Sequence, residues 1–356
     1  MKLLSVIIPT YNMEALLPRC LDSLVKAVNA NLLDVLVVND GSKDNSSAIG
    51  HRYETQYSGI VSVIDKPNGN YGSTINAALP QARGKYIKIL DADDWFCTEA
   101  LDALLERLRK ADADMIITHF TQLWHDGTKE VVRYNTMGRE PYIYGREYSL
   151  DTVLADGYIR FFLMHALTYR TDLLREIGYR QTEGISYTDT EWASVPVYHA
   201  QTIMFLDLNV YQYNFDREGQ TMAPEVILKS LPQLEKVIDS LLGYYCEHQS
   251  QLSVTRKAFM QQYLENRIRL LYKLYLLDMP RKNFRSEALQ RLDDKLTPVC
   301  HELELTPRLY PENKILHIDY IAFWHKHHRR WHPCFETFNH RLDIIVRWLY
   351  VRIFRK

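Results

Sequence analysis

Four short apolar runs, each separated from the next by helical spacing, restrict this chain to a small group of folds. Residues 3–8 (LLSVII) end at Pro9, residues 35–38 end in Asn39-Asp40-Gly41-Ser42, residues 60–64 follow, and residues 86–90 end at Asp91. Between them, residues 14–28 carry Leu16, Leu21, Leu24 and Val28 at helical spacing, a short helix is expected after Asp44, and residues 73–82 read as helical. Continuous hydrophobic strands alternating with helices predict an α/β fold whose mainly parallel sheet is covered on both faces. Ligands of such sheets bind beyond the carboxyl ends of the strands. Three polar clusters fall there: Thr10-Tyr11-Asn12, Asp40-Gly41-Ser42 and Asp91-Ala92-Asp93-Asp94.

Further along, residues 114–134 read as a strand and a hairpin around Asp126-Gly127, and residues 145–215 are mixed and rich in aromatics. Long amphipathic helices are expected at about 225–247, 252–278 and 284–302. The change of period sets the expected domains at 1–222, a helical region at 223–320 and a basic aromatic tail at 321–356. That tail holds eight Lys or Arg against two acids, whereas the whole chain is at −1. A near-neutral chain has no electrostatic footprint for nucleic acid. Five scattered cysteines without CxxC spacing suggest neither a disulfide framework nor a zinc site. With no signal-peptide pattern and no run approaching 18 uncharged apolar residues, the expectation is a cytoplasmic protein that does not span a membrane.

The strongest chemical signal is three carboxylates in four residues, Asp91, Asp93 and Asp94, directly after a buried strand. Crowded acids repel unless a cation or donor hydrogen bonds compensate them. Mg2+ or Mn2+ takes carboxylate and phosphate oxygens together; a helix N-cap cluster for a helix starting near Thr98 is the alternative. Asp40 reads either as turn chemistry or as a carboxylate that accepts the N3 hydrogen of uracil.

VIIPTYN (6–12), VVNDGSKDNS (37–46), NGNYG with Ile75, Asn76 and Ala78, GKYIKILDADDW (84–95) and TDTEW (188–192) follow one another in an order that resembles glycosyltransferase family 2. The resemblance covers about residues 3–222. It implies a GT-A fold with a C-terminal helical extension, a nucleotide-diphosphate sugar donor, a divalent metal and inversion at the anomeric carbon. It also implies Pro9 and Tyr11 against the base, Asp40 on the base edge, Asp91 near the ribose and Asp93 as the metal ligand. Asn70 stands where some relatives present an Arg to the phosphates. Of the family's Glu-Asp pair, the first acid is replaced by Thr188, which leaves Asp189 as the catalytic base or as a helix N-cap; Glu191, two residues on, is the substitute base. Tyr211-Gln212-Tyr213 and the segment with Arg217 resemble the loop that closes over the donor, where Arg217 faces the leaving diphosphate or solvent.

The expected activity is transfer of a sugar, UDP-linked by this reading, to a hydroxyl of a glycan or lipid-linked acceptor in cell-surface polysaccharide synthesis. The rival is a catalytically silent scaffold binding a nucleotide or a partner enzyme. A dehydrogenase is disfavoured because no GxGxxG follows the first strand. In the tail, His325, His327, His328 and His332 lie among Lys326, Arg329, Arg330, Trp324 and Trp331. This basic aromatic surface suits peripheral attachment at the inner membrane face better than a metal site, and packing on the protein's own domain is the alternative.

Overall fold

Three of the four apolar runs form strands in which nearly all side chains are buried, and the third in chain order lies at the sheet edge with only Val61 buried. In the computed structural model, which describes residues 1–134, 142–215, 224–280, 282–310 and 318–331, Leu4, Val6, Ile7 and Ile8 are fully enclosed. The chain runs β1 (Leu4–Thr10), α1 (Leu17–Val25), β2 (Leu33–Asn39), α2 (Ser46–Gln56), β3 (Val61–Asp65), α3 (Asn70–Ala78), β4 (Tyr86–Ile89) and β5 (Trp95–Phe96). It continues with α4 (Thr98–Leu108), β6 (Met115–Leu123), β7 (Lys129–Val132), β8 (Glu147–Ser149), α5 (Leu150–Ala155), β9 (Leu167–Arg170), α6 (Thr171–Glu176), α7 (Asp189–Ser194) and β10 (Thr202–Asn214). The helices α8 (Pro224–Lys229), α9 (Leu231–His248), α10 (Val254–Lys273), α11 (Ser286–Glu302) and α12 (Tyr320–His327) complete it.

The sheet order is β3-β2-β1-β4-β9-β6-β10-β5, with β7 on β6 and β8 on β10. Parallel pairing holds from β3 through β4 and again between β6 and β10. The intervening β9 is antiparallel to both neighbours, so β4 and β6 point the same way and their carboxyl ends share one edge. The fold is therefore of the expected α/β class with C-terminal helices, on a sheet more mixed than the sequence suggested. The first helix starts at Leu17 and not at residue 14. Glu14 is held in the preceding loop, where its Oε2 accepts from Asn45 N at 3.0 Å and Asn45 Nδ2 at 2.8 Å.

The chain divides into two compact units, Met1–Met260 and Gln261–Lys356. The first unit extends past residue 222 because α9 is tied to the segment around α7. Ser186 N donates to Gln233 Oε1 at 2.7 Å, Thr182 Oγ1 and Ser240 Oγ meet at 3.2 Å, and the Tyr244 hydroxyl meets His199 Nε2 at 2.6 Å. The second unit has an apolar core of its own, in which Ile268 of α10, Leu289, Leu292 and Leu296 of α11, and Ile321 and Trp324 of α12 are all buried. His325 Nε2 meets Asp293 Oδ1 at 2.7 Å, and Arg330 Nη1 donates to the Met279 carbonyl at 2.8 Å. Trp324, read as part of a lipid-facing surface, is 1% exposed and belongs to this core. The rest of the tail from His332, with most of its basic charge, lies outside the described residues. No helix among the described residues is long and apolar enough to cross a membrane.

Candidate active site

The end of β4 delivers Asp91, Asp93 and Asp94 to the carboxyl edge of the sheet, with carboxylate oxygens within 4.8 Å of one another. Each is fixed differently. Asp94 is buried, its Oδ2 accepting the Tyr211 hydroxyl at 2.6 Å and its Oδ1 the Asn214 amide at 2.7 Å. Asp91 Oδ1 accepts the Tyr71 hydroxyl at 2.8 Å, while Asp91 N donates to Tyr211 Oη at 3.1 Å. The Asp93 carbonyl accepts Arg19 Nη2 at 2.9 Å, and that guanidinium lies 3.7 Å over the Trp95 ring.

Burial, then the charge of Asp93, pushes the Asp91 carboxyl up to about 7. Burial and the same neighbouring acids push Asp94 well above the ordinary carboxylate range. The N-cap of α4 is Cys97 and no side chain caps that helix, so the acids of 91–94 are not its cap. Three hard oxygen donors in this space fit Mg2+ or Mn2+.

Asp189 opens α7 and is brought to the same place by contacts between α3 and the loop before α7. A Cβ at Gly72 would meet the Thr182 carbonyl at 2.1 Å, so only glycine lets α3 sit this close to the loop. Asn76 then clamps it, with Nδ2 donating to the Gln181 carbonyl and Oδ1 accepting Gln181 N, both at 2.8 Å. The charge of Asp189 contributes to the upward shifts of Asp91 and Tyr71, which puts the three groups in one electrostatic neighbourhood. The N-cap residue of α7 is Thr188, and no side chain caps that helix; Asp189 is its first residue.

Glu191, read as a substitute base, does not join them. It is 2% exposed, and its two oxygens accept Thr182 N at 2.7 Å and Thr182 Oγ1 at 2.6 Å. Its work is to hold the 181–183 loop that α3 packs against.

The residues expected at the nucleotide are divided. Pro9, next to last in β1, is half-buried, and Tyr11 just beyond the strand is 42% exposed at the sheet edge, open to a planar ligand. Asp40 is buried and turned into its own loop, with Oδ1 accepting Lys66 Nζ at 2.6 Å and Gly69 N at 2.9 Å. Asn70 begins α3 at φ 63°, and its carbonyl accepts the Ser73 hydroxyl at 2.6 Å. Arg217 lies outside the described residues. Tyr211 and Tyr213 were read as part of a closing loop; they are strand residues of β10, paired with β5 and β6, because the strand runs on to Asn214.

Sequence reasoning missed the support beneath the acids. Lys88, three residues before Asp91 on β4, is fully buried and donates to the carbonyls of His165 at 2.8 Å and Leu167 at 3.0 Å. Burial lowers its pKa to about 7 and that of His165 to about 3. The His165 ring stacks on Tyr213 at 4.3 Å and meets Tyr211 edge-on at 4.9 Å. A lysine inside an otherwise apolar strand run was the available signal.

The model of the family described as Glycosyl transferase family 2 matches residues 5–178. An uncharacterized glycosyltransferase, the MG060 homolog of Mycoplasma pneumoniae, is 28% identical over 75% of this chain and 87% of its own length. A second from the same organism, the MG025 homolog, is 41% identical over 33% of this chain and 39% of its own. The poly(ribitol-phosphate) beta-N-acetylglucosaminyltransferase TarS of Staphylococcus aureus is 26% identical over 62% of this chain and 36% of its own. The crystal structure of TarS residues 1–349 superposes with a TM-score of 0.62 at 22% identity, covering 85% of this chain and 82% of that one, a likeness of fold.

Proposed function

Because this chain belongs to glycosyltransferase family 2 and is a transferase, we propose that it moves a sugar from a UDP-linked donor to a hydroxyl of a glycan or lipid-linked acceptor, with inversion, in cell-surface polysaccharide synthesis. The observation that carries the reading is the meeting of Asp91, Asp93 and Asp189 at the carboxyl edge of the sheet. TarS, a relative with this fold, has been crystallised with UDP and with UDP-GlcNAc, which supports a UDP-linked donor.

In this reading Tyr11 lies against the base and Asp91 near the ribose. Asp93 holds Mg2+ or Mn2+, flanked by Asp91. Such an ion, when bound, supplies the positive charge that lets a diphosphate depart. Tyr211 and Asn214 keep Asp94 oriented, and Tyr71 does the same for Asp91. Asp189 accepts the proton of the acceptor hydroxyl as that oxygen attacks the anomeric carbon from the face opposite the diphosphate. One displacement then suffices, without a covalent sugar–enzyme intermediate. Asp40, whose Oδ1 is held by Lys66 and Gly69, takes the uracil edge in this reading.

The test is UDP release from a panel of UDP-sugars with Mg2+ or Mn2+, in the wild type and in Asp189→Asn. Loss of a general base costs a factor of about 100 to 10,000, so transfer should fall by that much while UDP affinity stays within about twofold. Transfer above about a tenth of wild type would take the base role from Asp189. No UDP release with any sugar would leave the silent scaffold as the better reading.

A further inference from the structure

At the opposite edge of the sheet from the acids, a cavity of about 330 Å3 opens between α5, the end of α9, the start of α10 and the segment just before β10. Its position follows from the pairing. The carboxyl ends of β4, β6 and β10 share one edge, and residues 199–201, which precede β10, must lie at the other. His199, His248, Gln251, Ser253, Arg256 and Asp151 line it.

Arg256 is 5% exposed, and burying a guanidinium is costly unless its donors are met. Nε donates to Asp151 Oδ1 and Nη1 to the Tyr198 carbonyl, both at 2.9 Å, which fixes the plane of the fork. Nη2 is bonded to nothing among the described residues. Ser253 Oγ accepts the Arg256 backbone N–H at 3.2 Å, so its own hydroxyl proton is available to donate. His248 Nδ1 donates to the Tyr244 carbonyl at 2.8 Å, so Nε2 can donate to a ligand when the ring is an imidazolium. Burial lowers the His199 pKa, and the two neighbours that lower it further, His248 and Arg256, are both cationic or potentially so.

We propose that this cavity is a second binding site, for a phosphate group, separate from the nucleotide-sugar site. A fixed arginine fork with one arm open, a hydroxyl and, in its imidazolium form, the His248 edge converge as separated donors, which suits a tetrahedral oxyanion. Asp151 takes the Nε edge and keeps that side from the anion. The site also has a mechanical link to the acids. Tyr198, whose carbonyl holds Arg256, ends the helical segment that begins at Asp189.

Calorimetry with inorganic phosphate, at constant ionic strength, tests this on the full chain. Saturable binding is expected in the wild type and in Asp93→Asn, whose change lies at the other edge. His248→Asn keeps a group able to donate to the Tyr244 carbonyl and removes Nε2, and it should weaken binding about tenfold, the worth of one charge-assisted hydrogen bond. Arg256→Gln should weaken it further if it folds. Glycerol 3-phosphate distinguishes the source: tighter binding than inorganic phosphate points to an esterified phosphate, equal or weaker binding to the free ion. The proposal is overturned by no saturable heat, by equal affinity in His248→Asn, by loss of binding in Asp93→Asn, or by a response to glucose with none to phosphate.

Discussion

Tyr211→Phe isolates what holds the acid cluster together. The hydroxyl is buried at the junction of two bonds, donating to Asp94 Oδ2 at 2.6 Å and accepting from Asp91 N at 3.1 Å. Removing it keeps the ring, with its contacts to Phe96 and His165, so no large cavity forms. The charged bond to Asp94 is worth about 1.5–3 kcal/mol, and an orphaned buried N–H at Asp91 adds about 1–3 kcal/mol. The two share one oxygen and are not additive; about 3 kcal/mol is a fair expectation. In a unit of this size each kcal/mol moves Tm by roughly 2–4 °C, so the apo protein should melt about 6–12 °C lower. Saturating Mg2+ should recover part of that, because a bound cation offsets the carboxylate charge that Tyr211 no longer answers. Tyr213→Phe is the control: its hydroxyl makes no hydrogen bond among the described residues, and the change should stay within about 0.5 kcal/mol. Paired melting curves by circular dichroism decide the matter. A Tyr211→Phe loss below about 2 °C, or one matched by Tyr213→Phe, would mean that the Tyr211 hydroxyl does not anchor the acids.

Asp93→Asn should abolish Mg2+-dependent UDP binding in calorimetry while raising apo stability slightly, since one charge fewer relieves repulsion; unchanged metal-dependent affinity removes Asp93 from the site. Glu191→Gln should cost about 1–3 kcal/mol of stability through its bonds to Thr182 and lower transfer by less than about tenfold. A loss of 100-fold or more at unchanged stability would restore Glu191 as the base. His165 is buried and neutral, its pKa lowered to about 3; the unfolded chain takes up its proton near 6.5. Its contribution to stability is thus complete above pH 6.5 and lost as pH falls towards 3. Urea midpoints should drop between pH 7 and 4.5 in the wild type and drop less in His165→Gln; equal slopes count against the assignment.

How far a site can be read from sequence depends on how local its causes are. The strand runs were legible because each is continuous, and all but the edge run of β3 are buried on both faces. The acid cluster was legible because its three members share one strand end. Tyr211 was not, since it meets Asp94 across 117 residues of chain. The register of β10 against β6 also shifts between Phe205 and Tyr211, so no alternation pattern tells which face Tyr211 presents. Asp40 shows a different limit. Its place at the sheet edge follows from the strand before it, but the direction of its carboxylate depends on Lys66 and Gly69, beyond the next strand.

Asp189 and Glu191 mark where sequence reasoning stopped short of what it could reach. Two residues apart at a helix mouth, they were taken as alternatives for one role. An α-helix turns about 100° per residue, so positions i and i+2 point about 200° apart. If one faces the acceptor, the other faces the core. The structure obeys this: the field of Asp189 reaches Asp91 and Tyr71, while Glu191 is enclosed against Thr182. Helical geometry alone points the two side chains to different faces. Burial then disfavours Glu191, because a carboxylate 2% exposed and enclosed against Thr182 offers an acceptor hydroxyl no approach.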